Sequence, residues 1–235
     1  MFSEVIKHMN TNKSLSKDGS KIVTDEKFNA SSHLSAALFS IIGISLLIVY
    51  SSVAGKIWHI VSFSIYGMTL FAVFVSSALH HGVNSGPKLE KILKLCDYLA
   101  IFLLIAGTYT PICLVPLRGP MGWTIFGATW GMAAIGITIK SIYPDIPKWV
   151  TNTIYITMGW AGGVIVFKLI KTMSLFSVSL IALGGIFYSI GMLIFYAEKP
   201  NPFPGKFAFH EIWHIFVILG ALSHFLFMWF YILPN

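Results

Sequence analysis

Seven stretches of this chain contain no Asp, Glu, Lys or Arg for at least nineteen residues in a row. They cover 28–55, 57–87, 98–117, 119–139, 149–167, 172–197 and 212–235. A helix needs about 20 mostly apolar residues to cross a bilayer core. Backbone groups in lipid must be satisfied internally, so only helices and closed barrels can span. The runs are continuously apolar and lack the alternation of barrel strands. The fold class is therefore all-α: an integral membrane bundle of seven transmembrane helices. The polar residues 1–33 form a tail, expected to be disordered or interfacial, and 34–233 form the transmembrane domain. Short turns rich in proline, such as Pro144 and Pro147 or Pro200, Pro202 and Pro204, join the spans.

Composition agrees and narrows the function classes. Hydrophobic residues make up 56% of the 235, and charged residues only 11%, against about 25% in soluble domains. The net charge of +7 does not mark a nucleic-acid binder, because no basic patch with interleaved aromatics exists. Lys and Arg instead alternate in density along the chain. The tail and the second, fourth and sixth connections carry twelve, and the other side carries four. The positive-inside rule then puts the N-terminus in the cytoplasm and the C-terminus outside. The cell membrane, plasma or inner, is the expected location, and membrane lipids are the expected partners. The first apolar run follows a long polar tail, so no cleavable signal peptide is expected. Cys96 and Cys113, on one helix, would stand about 25 Å apart and cannot pair.

With this direction, polar side chains from three spans reach one depth. Ser77, His80 and His81 end the second span, Asp97 begins the third, and His210, Glu211 and His214 begin the seventh. Ionisable residues inside membranes are costly and are functional candidates by default. His210 and His214 are four apart and share a helix face, as do Ser77 and His81. Three imidazoles with one open position make a catalytic zinc shell, and Asp97 is its acidic neighbour.

His210-Glu211-Ile212-Trp213-His214 also matches H-E-x-x-H, the zinc helix of soluble metalloproteases. That reading lacks a downstream third ligand. Val217 stands where the longer motif needs glycine. Glu211 reads better as a carboxylate at a helix N-terminus. The remaining histidines have plainer readings: His8 in the tail, His33 and His59 at span ends, and His224 as an interhelical hydrogen-bonding group. Gly107, Gly131, Gly136, Gly162 and Gly163 suit close helix packing, and Pro111 is expected to kink the third span.

Three segments carry a family resemblance: 77–81 with Ser77 and His81, 95–111 with Asp97, and 210–214. They resemble the hemolysin III family, which belongs with the progestin and adiponectin receptors and, more distantly, the alkaline ceramidases. The similarity covers about residues 30–232. It implies a seven-helix bundle with a zinc ion near the cytoplasmic face, held by His81, His210 and His214, with Ser77 and Asp97 beside it. The residue before the motif histidine is often aromatic in the family and is His80 here. His80 and His81 both stand as candidates, and the Ser77–His81 spacing favours His81.

Three functions compete. The first is a zinc-dependent hydrolase of a lipid amide or ester, with Asp97 moving the proton and Ser77 orienting groups around it. The second is a receptor or signalling protein whose zinc is structural. The third, suggested by the family's name, is a membrane-permeabilising protein. A cluster at one depth suits a site better than a pore.

Overall fold

The computed structural model describes residues 16–20, 22, 24–163, 169–170 and 173–235. The helices are α1 (Glu26–Val53), α2 (Ile57–Gly82), α3 (Pro87–Leu114), α4 (Pro120–Ile142), α5 (Lys148–Trp160), α6 (Leu175–Ala197) and α7 (Phe209–Phe227). A π-helical turn, Met228–Ile232, continues α7. Six of these are long and apolar enough to cross a membrane; α5, with 13 residues, is shorter. Residues 164–167 of the fifth predicted span lie outside the described residues, and no strand occurs among the described ones.

Several helices outrun the uncharged stretches that announced them. α1 begins at Glu26 because the Asp25 carboxylate caps it, accepting from the backbone N–H groups of Lys27 at 3.0 Å and Phe28 at 3.2 Å. Residues 26–33 are thus the first turns of α1, although their charges and polarity assigned them to the tail. α3 begins at Pro87, a favoured first position, and so takes in Lys88, Glu90, Lys91 and Lys94. A charge at a helix end meets headgroups and water, so it marks the membrane boundary and not the helix boundary.

The sides of the helices follow lipid as solvent. α1 exposes Leu38, Phe39, Ile42 and Val53 and buries Asn29, His33, Ser40 and Ser51. Each helix packs on the next in sequence, and α7 returns to α1, so the bundle closes on itself. α3 additionally touches α5 and the π-helical turn. Tyr109 on α3 donates to the Gly159 carbonyl at 2.5 Å and accepts from Gly162 N–H at 2.9 Å. Tyr155 on α5 donates to the Tyr98 carbonyl at 2.6 Å. Pro111 sits inside the last turn of α3.

Three of the five predicted packing glycines make close approaches: Gly107 against Thr69, Gly136 against Phe102 and Gly162 against Tyr109. Gly131 and Gly163 face open space. Both cysteines are free, Cys96 exposed and Cys113 buried.

At Gly107 an added Cβ would lie 2.0 Å from Thr69 Oγ1. That hydroxyl is itself held by the Tyr66 carbonyl at 2.8 Å. Gly107→Ala should lower stability by about 1–3 kcal/mol in detergent unfolding, while Gly131→Ala should be neutral or slightly stabilising. The predicted orientation has its own check. An N-terminal epitope should be lost to protease in inside-out vesicles, and a C-terminal one in right-side-out vesicles.

Candidate metal centre

The last turns of α2, the early turns of α3 and the first turns of α7 lie at one end of the bundle. They bring together Ser77, His80, His81, Asp97, His210 and His214 around one cavity. Helical spacing explains the convergence. His210 and His214 are one turn apart on the inner face of α7, and His81 meets both from α2. Ring centroids are separated by 4.9 Å (His81–His210), 4.9 Å (His81–His214) and 5.0 Å (His210–His214). One nitrogen from each ring lies within 4.8 Å of the other two, and all three residues are buried.

His80, His81 and Asp97 make a second, overlapping group with ligand atoms within the same 4.8 Å. His81 belongs to both groups, whereas His80 does not join the trio with His210 and His214. His81 is thus the histidine of the adjacent pair that meets the two rings of α7. Asp97 is placed beside the trio and not within it, with buried Ser77 next to its carboxyl.

The donor set suits a divalent transition metal. Nδ1 of His210 and Nδ1 of His214 are buried and have no hydrogen-bond partner; Asp18 Oδ2 faces the former at 3.7 Å, so a metal would take the Nε2 of His210. Unpaired polar groups in such a place cost about 1–3 kcal/mol each. The His81 Nδ1 is engaged by Glu26 Oε2 at 2.5 Å, which leaves its Nε2 as the free nitrogen. The cavity is about 70 Å³, room for an ion and a few waters. Its deeper wall is apolar, with Val73, Ile101, Leu104, Met192 and Val217.

Three residues at the site were not singled out as part of it from the sequence, and all come from the N-terminal side. Glu26 is the carboxylate on His81. Asp18 Oδ2 lies 3.7 Å from His210 Nδ1 and 3.9 Å from Lys148 Nζ. Burial pushes the Asp18 carboxyl up. His210, the Ser16 hydroxyl, the Ser20 N–H and Lys148 outweigh this and bring it down to about 2, so Asp18 is ionised at neutral pH. His33 is the third. It lies near the start of α1, as the span-end reading had it, and its ring is 3.9 Å, centroid to centroid, from that of His214. The sequence did hold a signal for two of them: Glu26 and His33 are seven apart, two turns along one helix face.

The segment that carries Asp18 is tied down from several helices. Lys17 Nζ donates to the carbonyls of His80 at 3.3 Å, His81 at 2.9 Å and Val83 at 2.9 Å, so a cation caps the C-terminus of α2. Lys94 Nζ donates to the Asp18 carbonyl at 2.9 Å. Glu211, fully buried, accepts from the N–H of Ala208 at 2.7 Å and from the N–H of Asp25. It is a helix N-terminal carboxylate, as its position implied. Both its oxygens serve the backbone, and this leaves the protease reading without its base. His8 lies outside the described residues. His59 bonds the Ile232 carbonyl at 2.9 Å at the far end, and His224 bonds the Ile181 carbonyl at 3.2 Å across α7 and α6.

The sequence matches the family model described as haemolysin-III related over residues 22–225. It is 38% identical to "Hemolysin-3" of Bacillus cereus over 215 residues, 92% of this chain and 95% of that protein. It is 30% identical to the human "Monocyte to macrophage differentiation factor" over 212 residues, 87% of this chain and 83% of the other. Over 179 residues it is 26% identical to the rice "Heptahelical transmembrane protein ADIPOR3", covering 69% of this chain and 44% of that one. The matched region contains α1 to α6 and most of α7, and with them every histidine of the cluster. This chain is a multi-pass membrane protein of the haemolysin-III-related family.

Proposed function

We propose that the protein is a zinc-dependent hydrolase of a lipid amide or ester. Its metal is held by His81, His210 and His214 near the cytoplasmic face. The observation that carries the reading is the trio of buried imidazoles with a separate carboxylate beside it. Three protein ligands and an adjacent proton acceptor are the parts of a catalytic site with an open position, whereas four protein ligands would close it. When bound, zinc supplies Lewis acidity, lowering the pKa of a water toward about 7 and polarising a carbonyl.

The chain's own residues do the rest. Asp97 takes the proton from the attacking water at a carboxylate oxygen. It returns that proton to the nitrogen or oxygen that leaves as the acyl bond breaks. Ser77 fixes the orientation of that carboxyl. The apolar wall of Val73, Ile101, Leu104, Met192 and Val217 excludes bulk water and receives the first part of an acyl chain. The cavity, at about 70 Å³, is far below the roughly 300–1,000 Å³ of a formed ligand pocket. A lipid must therefore part that wall to enter.

The same small volume favours a second reading, in which the metal is structural and ties α2 to α7 in a receptor or signalling protein. The two readings separate on measurement. Elemental analysis of the purified chain should find about one zinc, lost in His81→Ala and His210→Ala. No metal in wild type handled without chelator removes the site as proposed. With zinc bound, hydrolysis across a panel of ceramides, lysolipids and acyl amides supports the enzyme. In that assay Asp97→Asn should lose about a hundredfold or more of the rate while keeping its zinc. Chelation that lowers the melting temperature of a protein inert toward the whole panel supports the structural reading.

A further inference from the structure

We propose that the strap leading into α1 orients the metal site. Glu26 on Nδ1 of His81 and Asp18 facing Nδ1 of His210 act as positioning residues for two of the three ligand rings. The inference rests on the metal reading above. An imidazole that binds a metal through one nitrogen needs a partner for the other, and a carboxylate there fixes the tautomer and raises the ring's basicity.

The two carboxylates stand in that place. Glu26 Oε2 is 2.5 Å from His81 Nδ1. Asp18 is 4% exposed, its Oδ2 has no hydrogen-bond partner, and it lines the cavity 3.7 Å from His210 Nδ1. Its other oxygen accepts from the Ser16 hydroxyl and from Ser20 N–H at 3.1 Å. The carboxylate is thereby held with Oδ2 toward the ring. Lys17 on the end of α2, Lys94 on α3 and Glu211 on α7 hold the strap itself. Among the described residues no carboxylate serves His214, whose Nδ1 has no partner. The strap thus reaches one ring from each of the two helices that supply ligands. Strap docking and metal occupancy become one linked equilibrium, and each must favour the other to the same degree.

The test uses the full chain in detergent. Zinc affinity is measured by competition with a chromophoric chelator for wild type, Asp18→Asn and Glu26→Gln. Each variant should bind zinc about 10–100-fold more weakly, with the apo melting temperature unchanged and the visible bands of the cobalt(II) form shifted. A wild type that binds zinc while both variants bind equally well, with unaltered cobalt spectra, overturns the strap's role and leaves the metal reading standing. A wild type that binds neither metal defeats the metal reading, and this inference falls with it. A second measurement needs no variant. Trypsin cleavage of the wild-type chain after Lys17 should slow when zinc is added, and equal rates with and without zinc overturn the proposal even if a variant fails to fold.

Discussion

Polar groups withdrawn from water must find partners, and in this bundle that constraint governs one end of the molecule. Five imidazoles and the Glu211 carboxylate are buried there, between helices whose outer faces are apolar. Such groups survive in a membrane protein only by binding one another, the backbone or an ion. Glu211 is satisfied by two backbone N–H groups, and His81 by Glu26. His210 and His214 keep a nitrogen without a partner. The architecture follows from this need. His81 on α2 must reach across to His210 and His214 on α7, Asp97 on α3 must stand beside them, and residues 16–20 must fold back over the end.

The bundle and the heart of the site were legible in the sequence for different reasons. Lipid imposes a length and an apolarity on every span, so an uninterrupted run such as 172–197 announces a helix without knowledge of its neighbours. Ser77, His81, Asp97, His210 and His214 could be brought together because topology alone fixes which end of each helix they occupy. Helical spacing then puts the pairs on one face. Within the predicted tail, 1–33, residues 26–33 belong to α1, where the same logic was used outside its range. Charge density separates membrane from water, but it does not say whether a polar segment folds back. Asp18 and Glu26 stand in a stretch whose composition looks like solvent-facing chain. Only three-dimensional placement reveals that Lys17 spans to the carbonyls ending α2. His33 was missed because its one pattern, the seven-residue spacing from Glu26, starts in the stretch read as tail. Its significance lies in a ring on another helix, 3.9 Å away.

The two sides of the cavity divide the chemical labour. The strap side supplies negative charge and backbone tethers, and fixes the rings. The opposite wall is apolar, built from α2, α3, α6 and α7. Asp97 stands between these environments, its carboxyl within 4.8 Å of a His81 nitrogen yet outside the histidine trio. Relatives as far apart as a bacillus and a human match most of this chain. They bear names of unlike kinds, so the shared bundle does not by itself assign one activity.

Closure of the ring by α7 against α1 also sets the order in which the protein can be completed. The Asp25 N–H meets the Glu211 carboxylate across 186 positions of sequence. The first helix therefore enters the bilayer long before the residues that cover its polar face exist. During synthesis the Asp25 N–H has no carboxylate to meet until the last span is made. The metal trio cannot assemble until then, because two of its three rings are made last. A product truncated before α7 would lack two rings of the trio and the Glu211 carboxylate that accepts from the Asp25 N–H. Quality control could recognise that defect at the first helix.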